Sequence, residues 1–158
     1  MLVLGIDPGI AQAGWGVVEF IGQRYRPVSF GVVRTAAKTP LEERIHAIAN
    51  EMGRLADTYQ VEIVSMEDIF FAKNVSSALP VAKVIGAIIQ QLSIQKIPVR
   101  LFTPLQIKMA VTGNGTAEKF QVQEMVRLLL KLQKVPSPDH AADSLAAAIC
   151  LATNRRMI

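Results

Sequence analysis

The order of its apolar runs limits this chain most. Three runs, Leu2–Asp7, Gly14–Phe20 and Val28–Arg34, follow one another at hairpin spacing, which predicts three antiparallel strands. Two later runs, Val61–Met66 and Val99–Phe102, are each preceded by a helical pattern instead. Strands reached through a helical crossover are expected to run parallel. The expectation is an α/β fold: a five-stranded mixed sheet, three antiparallel strands then strands joined by helices, with helices on both faces. At 158 residues and 51% hydrophobic content, the chain is expected to form a single domain, 1–158, with a substantial core.

The helices have their own signals. Thr39-Pro40-Leu41-Glu42 reads as an N-cap, a proline at the first helical position and a capping-box acid. An apolar stripe follows at Leu41, Ile45, Ile48, Met52, Leu55 and Tyr59. A polar loop, Ala72 to Ser77, leads into a second helix running to about Gln95. Its Val81, Val84, Ile85, Ile88, Ile89 and Leu92 occupy more than one side, which suits either a sandwiched core helix or a second partner. Thr103-Pro104 opens a short helix, Leu105 to Val111, and the flexible loop Thr112–Thr116 follows. A helix from Ala117 to Leu132 is expected to bury Phe120, Val122, Met125, Val126 and Leu129. The last helix starts at Ser137-Pro138 and reaches about Thr153.

No uninterrupted apolar run reaches the roughly 18 residues of a membrane span. The start of the chain has no basic segment ahead of its apolar run, as a signal peptide would. A lone Cys150 excludes an internal disulfide framework and a cysteine zinc cluster. The expectation is a cytoplasmic protein with no membrane partner. The net charge is +4 and the pI about 9.5, which permits a polyanionic partner. Basic residues gather in the second half, from Lys96 to Arg156, whereas after Asp68 the acids reduce to Glu118, Glu124, Asp139 and Asp143.

Those few acids and two earlier ones form a pattern. The first strand ends in Asp7-Pro8-Gly9 and the fourth in Glu67. By itself Asp7 reads equally as a turn residue or a ligand, because Asp and Pro-Gly are ordinary turn chemistry. Two carboxylates at the ends of apolar strands are harder to explain, since burying a charge is costly unless it is paired or metal-bound. If the two strands are neighbours, both carboxylates meet at one sheet edge. Pro138-Asp139-His140-Ala141-Ala142-Asp143 adds a third group, because positions three and four apart share a helix face. Asp139 and Asp143 also suit a helix N-terminus without any ligand. The small residues Ala146, Ala147 and Ala148 let that helix lie close to the sheet. Converging carboxylates with an imidazole suit a hard cation, Mg²⁺ or Mn²⁺, and two such ions can clamp an in-line phosphodiester displacement.

These pieces, taken in order, resemble the RuvC family of Holliday-junction resolvases. The matching stretches are Gly5-Ile6-Asp7-Pro8-Gly9, Glu67 with Phe70-Phe71-Ala72-Lys73-Asn74, Lys108 in Gln106-Ile107-Lys108, Lys119 in Ala117-Glu118-Lys119, and His140-Ala141-Ala142-Asp143. The resemblance runs nearly end to end. It implies a ribonuclease-H-like fold, a homodimer, and Mg²⁺-dependent nicking of two like-polarity strands at a four-way DNA junction. Two ions per site are implied, with Mn²⁺ able to substitute. Asp7, Glu67, His140 and Asp143 carry over as catalytic metal ligands. The family usually has Asp where this chain has His140, though some members carry His, so the site holds one negative charge fewer. Softer imidazole predicts weaker Mg²⁺ binding or relatively better use of Mn²⁺. Asp139 is the neighbouring acid that could substitute as a ligand.

Phe70, an aromatic in a polar loop, could stack on an unpaired base or pack in the core, and the resemblance favours stacking. Lys108 and Lys119 flank the Gly113-Asn114-Gly115 loop and suit phosphate contacts, and Lys73 and Asn74 could face the DNA backbone. The apolar helix Val81–Leu92 is the candidate dimer interface, because a near-two-fold junction needs two sites related by the same symmetry. The resemblance also implies RuvA and RuvB as branch-migration partners. The rivals are a ribosomal-RNA-processing nuclease of the same fold, a sugar kinase or actin-like ATPase, and a non-catalytic DNA-binding module. The kinase or ATPase reading needs a much longer, duplicated chain, and intact Asp7, Glu67 and Asp143 argue against an inert module.

Overall fold

A computed structural model of the chain describes residues 1–69 and 75–154. Along the chain come β1 (Leu2–Asp7), β2 (Gln12–Ile21), β3 (Arg24–Arg34), α1 (Leu41–Thr58), β4 (Ile63–Glu67), α2 (Val75–Ile94), β5 (Val99–Phe102), α3 (Pro104–Thr112), α4 (Lys119–Leu129) and α5 (Asp139–Thr153). The strands form one five-stranded sheet in the order β3-β2-β1-β4-β5. β1, β2 and β3 pair antiparallel, while β1 with β4 and β4 with β5 pair parallel. This is the mixed sheet expected from the run order, and it makes β1 and β4 neighbours.

Strand periodicity divides the core. Alternate residues point to opposite faces. Leu4, Ile6, Val17, Val64 and Met66 pack with Ile48, Met52, Val84, Ile88 and Leu92 of α1 and α2 on one face. Val3, Val18, Ile63 and Phe102 pack with α3, α4 and α5 on the other. Asp7 shares parity with Val3 and Gly5, and Glu67 shares parity with Ile63 and Ser65. Both carboxylates therefore belong to the α5 face. A register slip of one residue would move a strand's carboxylate to the opposite face.

Three expectations need correction. Thr39 does not cap α1: Pro40 stands at the N-cap in extended backbone with no side-chain cap, and Thr39 instead donates its N–H to Ala36 in a turn. The shift of one residue takes Thr39 out of reach of the first helical amides. Phe120, expected in the core, is 69% exposed, because α4 begins only at Lys119 and turns Val122 and Val126 inward. α5 begins at Asp139, two residues after Ser137, with a cis Ser137–Pro138 peptide just before it. In keeping with the sequence reading, α2 is long and apolar enough to cross a membrane only by average hydropathy, since no uninterrupted apolar run spans it. Its Val84, Ile88 and Leu92 lie fully buried, while Leu79, Gly86 and Ile94 face outward. At α3 the Thr103 cap holds, with Gln106 completing a capping box.

Candidate active site

α5 lies across β1, β2 and β4, and three glycines let it come close. A Cβ added at Gly5 would sit 1.9 Å from the Ser144 carbonyl oxygen, and one at Gly14 would sit 1.9 Å from that of His140. A Cβ at Gly16 would meet the Leu145 side chain at 2.6 Å. Gly5 pairs with Gly16, and Asp7 pairs with Gly14, so the three form one bare patch beside Asp7. Main chain of the helix rests on main chain of the sheet there. From β4, the Ser65 hydroxyl donates to the Ala147 carbonyl and ties α5 to the adjacent strand.

This seating carries the start of α5 to the carboxyl ends of β1 and β4, where α/β sheets place ligands. Donor atoms of Asp7, His140 and Asp143 all lie within 4.8 Å of one another. His140 Nδ1 stands 2.7 Å from Asp7 Oδ2. Lys119, at the start of α4, places Nζ 3.2 Å from Asp143 Oδ2 and 3.3 Å from Asp139 Oδ2. Glu67 lines an open cleft next to this cluster, with Lys108, Lys119, Asp143 and the apolar walls Pro104, Ile107, Val122 and Ala146.

The electrostatics are those of a site crowded with acids. Burial, followed by the charges of Asp7 and Asp143, pushes the Glu67 carboxyl up to about 7, with Lys119 and Lys108 opposing. Burial also raises Asp7 against the opposing hydrogen bond from His140, and the Asp143 charge adds to the rise. Asp139 differs: its bond to Lys119 holds it below the usual carboxylate range. Burial would lower Lys119, but its bonds to Asp143 and Asp139 outweigh that and raise it.

The donor set suits a divalent cation. Two carboxylates and an imidazole converge, and the raised Asp7 and Glu67 mark charge that a cation would compensate. An imidazole that donates Nδ1–H to a carboxylate keeps its other nitrogen as the free donor atom, a common support for metal-binding histidines. Of the expected residues, the structure gathers Asp7, His140 and Asp143 most tightly, with Glu67, Lys108 and Lys119 around the same cleft. Asp139 lies outside the three-residue cluster, 65% exposed and bonded to Lys119 and Gln123. Phe70, Lys73 and Asn74 lie outside the described residues. Sequence reasoning missed Gln123 and the glycine patch. The Gly14-x-Gly16 spacing, on the strand that pairs with Gly5, was the available signal for the patch.

Comparison with known proteins identifies the family. The family model described as RuvC, crossover junction endodeoxyribonuclease, matches residues 3–151. Among curated relatives, crossover junction endodeoxyribonuclease RuvC of Thermomicrobium roseum is 47% identical over 95% of this chain and 91% of its own length. The Brevibacillus brevis protein of the same name is 46% identical over 100% of this chain and 95% of its own. A solved Thermus thermophilus RuvC in complex with Holliday junction substrate superposes with a TM-score of 0.94 at 36% identity, over 99% of this chain and 96% of that one. The yeast mitochondrial Holliday junction resolvase Ydc2, at 15% identity, 96% and 78% coverage and a TM-score of 0.66, shares the fold. By sequence over nearly its full length, and by the ribonuclease-H-like sheet that carries its acidic cluster, the chain belongs to the RuvC family of crossover junction endodeoxyribonucleases.

Proposed function

We propose that this chain resolves four-way DNA junctions in recombination and repair by paired, Mg²⁺-dependent nicks in strands of like polarity. The observation that carries this reading is the Asp7–His140–Asp143 cluster opening onto a cleft that two lysines line. Asp7, Glu67, His140 and Asp143 would hold the cations, with Mn²⁺ an alternative. Once bound, the ions supply Lewis acidity to the phosphodiester and water activation at neutral pH. The chain's residues do the rest. His140 is fixed by Asp7, so one imidazole nitrogen stays available in a set orientation. Lys108 and Lys119 attract and orient the phosphate at the cleft. Pro104, Ile107 and Val122 form the apolar wall of the cleft beside those lysines.

A single active site per chain makes one nick, so symmetric resolution requires two copies. α2 suits the shared interface: Leu79, Ala82 and Gly86 are exposed at helical spacing, and nothing lies within 4 Å of a Cβ built on Gly86. A small-residue patch lets two helices approach closely. The chain would work in the cytoplasm as one catalytic domain, on junctions delivered by the RuvA and RuvB branch-migration proteins.

The test uses labelled four-way junction, linear duplex and structured RNA, each with and without Mg²⁺, for the wild type and Asp7→Asn. Paired nicks confined to the junction, dependent on Mg²⁺ and lost in the variant, support the reading. Cleavage of the RNA in preference to the junction would point to a ribosomal-RNA-processing nuclease instead.

A further inference from the structure

Asp139 does not join the cation cluster, yet it holds a definite geometry. Its Oδ2 lies 3.3 Å from Lys119 Nζ, and its Oδ1 accepts a hydrogen bond from Gln123 Nε2 at 3.1 Å. Lys119 and Gln123 are one turn apart on α4, so Asp139 faces α4 from the first residue of α5. Lys119 also reaches Asp143 at 3.2 Å. Asp143 thus has two suitors, because the same carboxylate belongs to the cation cluster. When a cation engages Asp143, Lys119 loses half of its anchorage, and Asp139 is the carboxylate that still restrains it.

The pair is too exposed to act mainly through stability. Lys119 and Asp139 side chains are 54% and 65% exposed, and ion pairs in water contribute little. What the contact does is restrict where a long, flexible ammonium rests. Building on the junction-cutting reading above, we propose that Asp139 is a positioning residue: through Gln123 and Lys119 it keeps the Lys119 ammonium at the cleft mouth, aimed at the scissile phosphate. Two of its neighbours, His140 and Asp143, would hold the cation; Asp139 acts on the lysine.

The test combines Asp139→Ala, Asp139→Asn, Asp139→Glu, Lys119→Met and the double variant Asp139→Ala/Lys119→Met. Wild-type nicking of the junction comes first, and its absence would defeat the parent reading rather than this one. The expected result for Asp139→Ala is a kcat loss of about ten- to a hundredfold, the scale of a misplaced group. Junction affinity in Ca²⁺ is expected to be equal or tighter, since a carboxylate has left a DNA-facing surface. In the Lys119→Met background the same substitution changes nothing further, as a shared pathway requires. Asp139→Glu restores kcat in part. Asp139→Asn does not, although it keeps the Gln123 contact, so a purely structural staple between α4 and α5 would be revealed by rescue in that variant. Mn²⁺ titration without DNA gives the independent readout: affinity within about threefold of wild type supports the role. A tenfold or larger loss would make Asp139 a ligand and overturn it, as would wild-type kcat in Asp139→Ala or additive losses in the double variant.

Discussion

Glu67→Gln tests whether the site is held together against its own charge. In the folded chain without metal, Glu67 takes up a proton near pH 7, whereas a solvated Glu does so near 4.5. Below pH 4.5 both states are protonated, and Gln is a close mimic of the neutral acid. Between 4.5 and about 7 the unfolded chain releases the proton and the folded chain retains it, so wild-type stability falls with rising pH. Above 7 both are ionised and the difference levels off. Two and a half pH units at about 1.4 kcal/mol each set a ceiling of about 3.5 kcal/mol. In EDTA, denaturant unfolding at a series of pH values is expected to show Glu67→Gln matching wild type at pH 4. Its advantage should open between pH 4.5 and 7 and reach as much as about 3.5 kcal/mol at pH 8.5. Adding Mg²⁺ is expected to stabilise wild type by mass action and the variant much less. A gap that is independent of pH, or a variant less stable than wild type at pH 8.5 in EDTA, would refute the reasoning.

Other expectations follow from single contacts. Gly14→Ala drives a methyl to 1.9 Å from the His140 carbonyl oxygen, so α5 must lift; junction nicking should fall at least a hundredfold, with a stability loss of roughly 1–3 kcal/mol in denaturant titration. His140→Asp should shift metal preference from Mn²⁺ toward Mg²⁺, measured as the ratio of nicking rates in the two metals, and an unchanged ratio would remove the role given to the imidazole. Cys150 is buried and its thiol is pushed up to about 11, so a thiol reagent at pH 8 should label it only after unfolding. Gly86→Glu should give monomers by analytical ultracentrifugation and replace paired resolution with single nicks, since a charge would enter the proposed two-fold contact.

Much of this arrangement was legible in the sequence because it follows from short-range rules. Strand parity alone puts Asp7 and Glu67 on one face once β1 and β4 are neighbours, as the sheet order makes them. The i, i+3 spacing of His140 and Asp143 put both on one helix face. What the sequence hid depends on distances between segments far apart in the chain. Nothing local to Asp139 separates a metal ligand from a lysine anchor, since the choice is made by where α4 brings Lys119. The Thr39 cap failed for a subtler reason: Pro40 accepts either the cap or the first helical position, and one residue of drift decides which. Phe120 misled because an aromatic at the start of an amphipathic helix fits the apolar stripe on paper. It lies outside because Val122 and Val126, not Phe120, face the neighbouring helices α3 and α5.

The glycine patch under α5 has a bearing on how such a site tolerates change. Packing between side chains can drift as residues of different size are exchanged, and elements shift with it. Where carbonyls of a helix touch the bare backbone of a sheet, no exchangeable volume lies between them. The separation is then set by atomic radii that every sequence shares. Residues deeper in the core, such as Ile149 or Met52, can be traded for others of similar bulk while the spacing of Asp7, His140 and Asp143 is held by contacts that substitution elsewhere cannot rewrite. The catalytic tolerances of this small enzyme are thereby uncoupled from the composition of its interior, and they rest instead on two positions, Gly5 and Gly14, where nothing but hydrogen can stand.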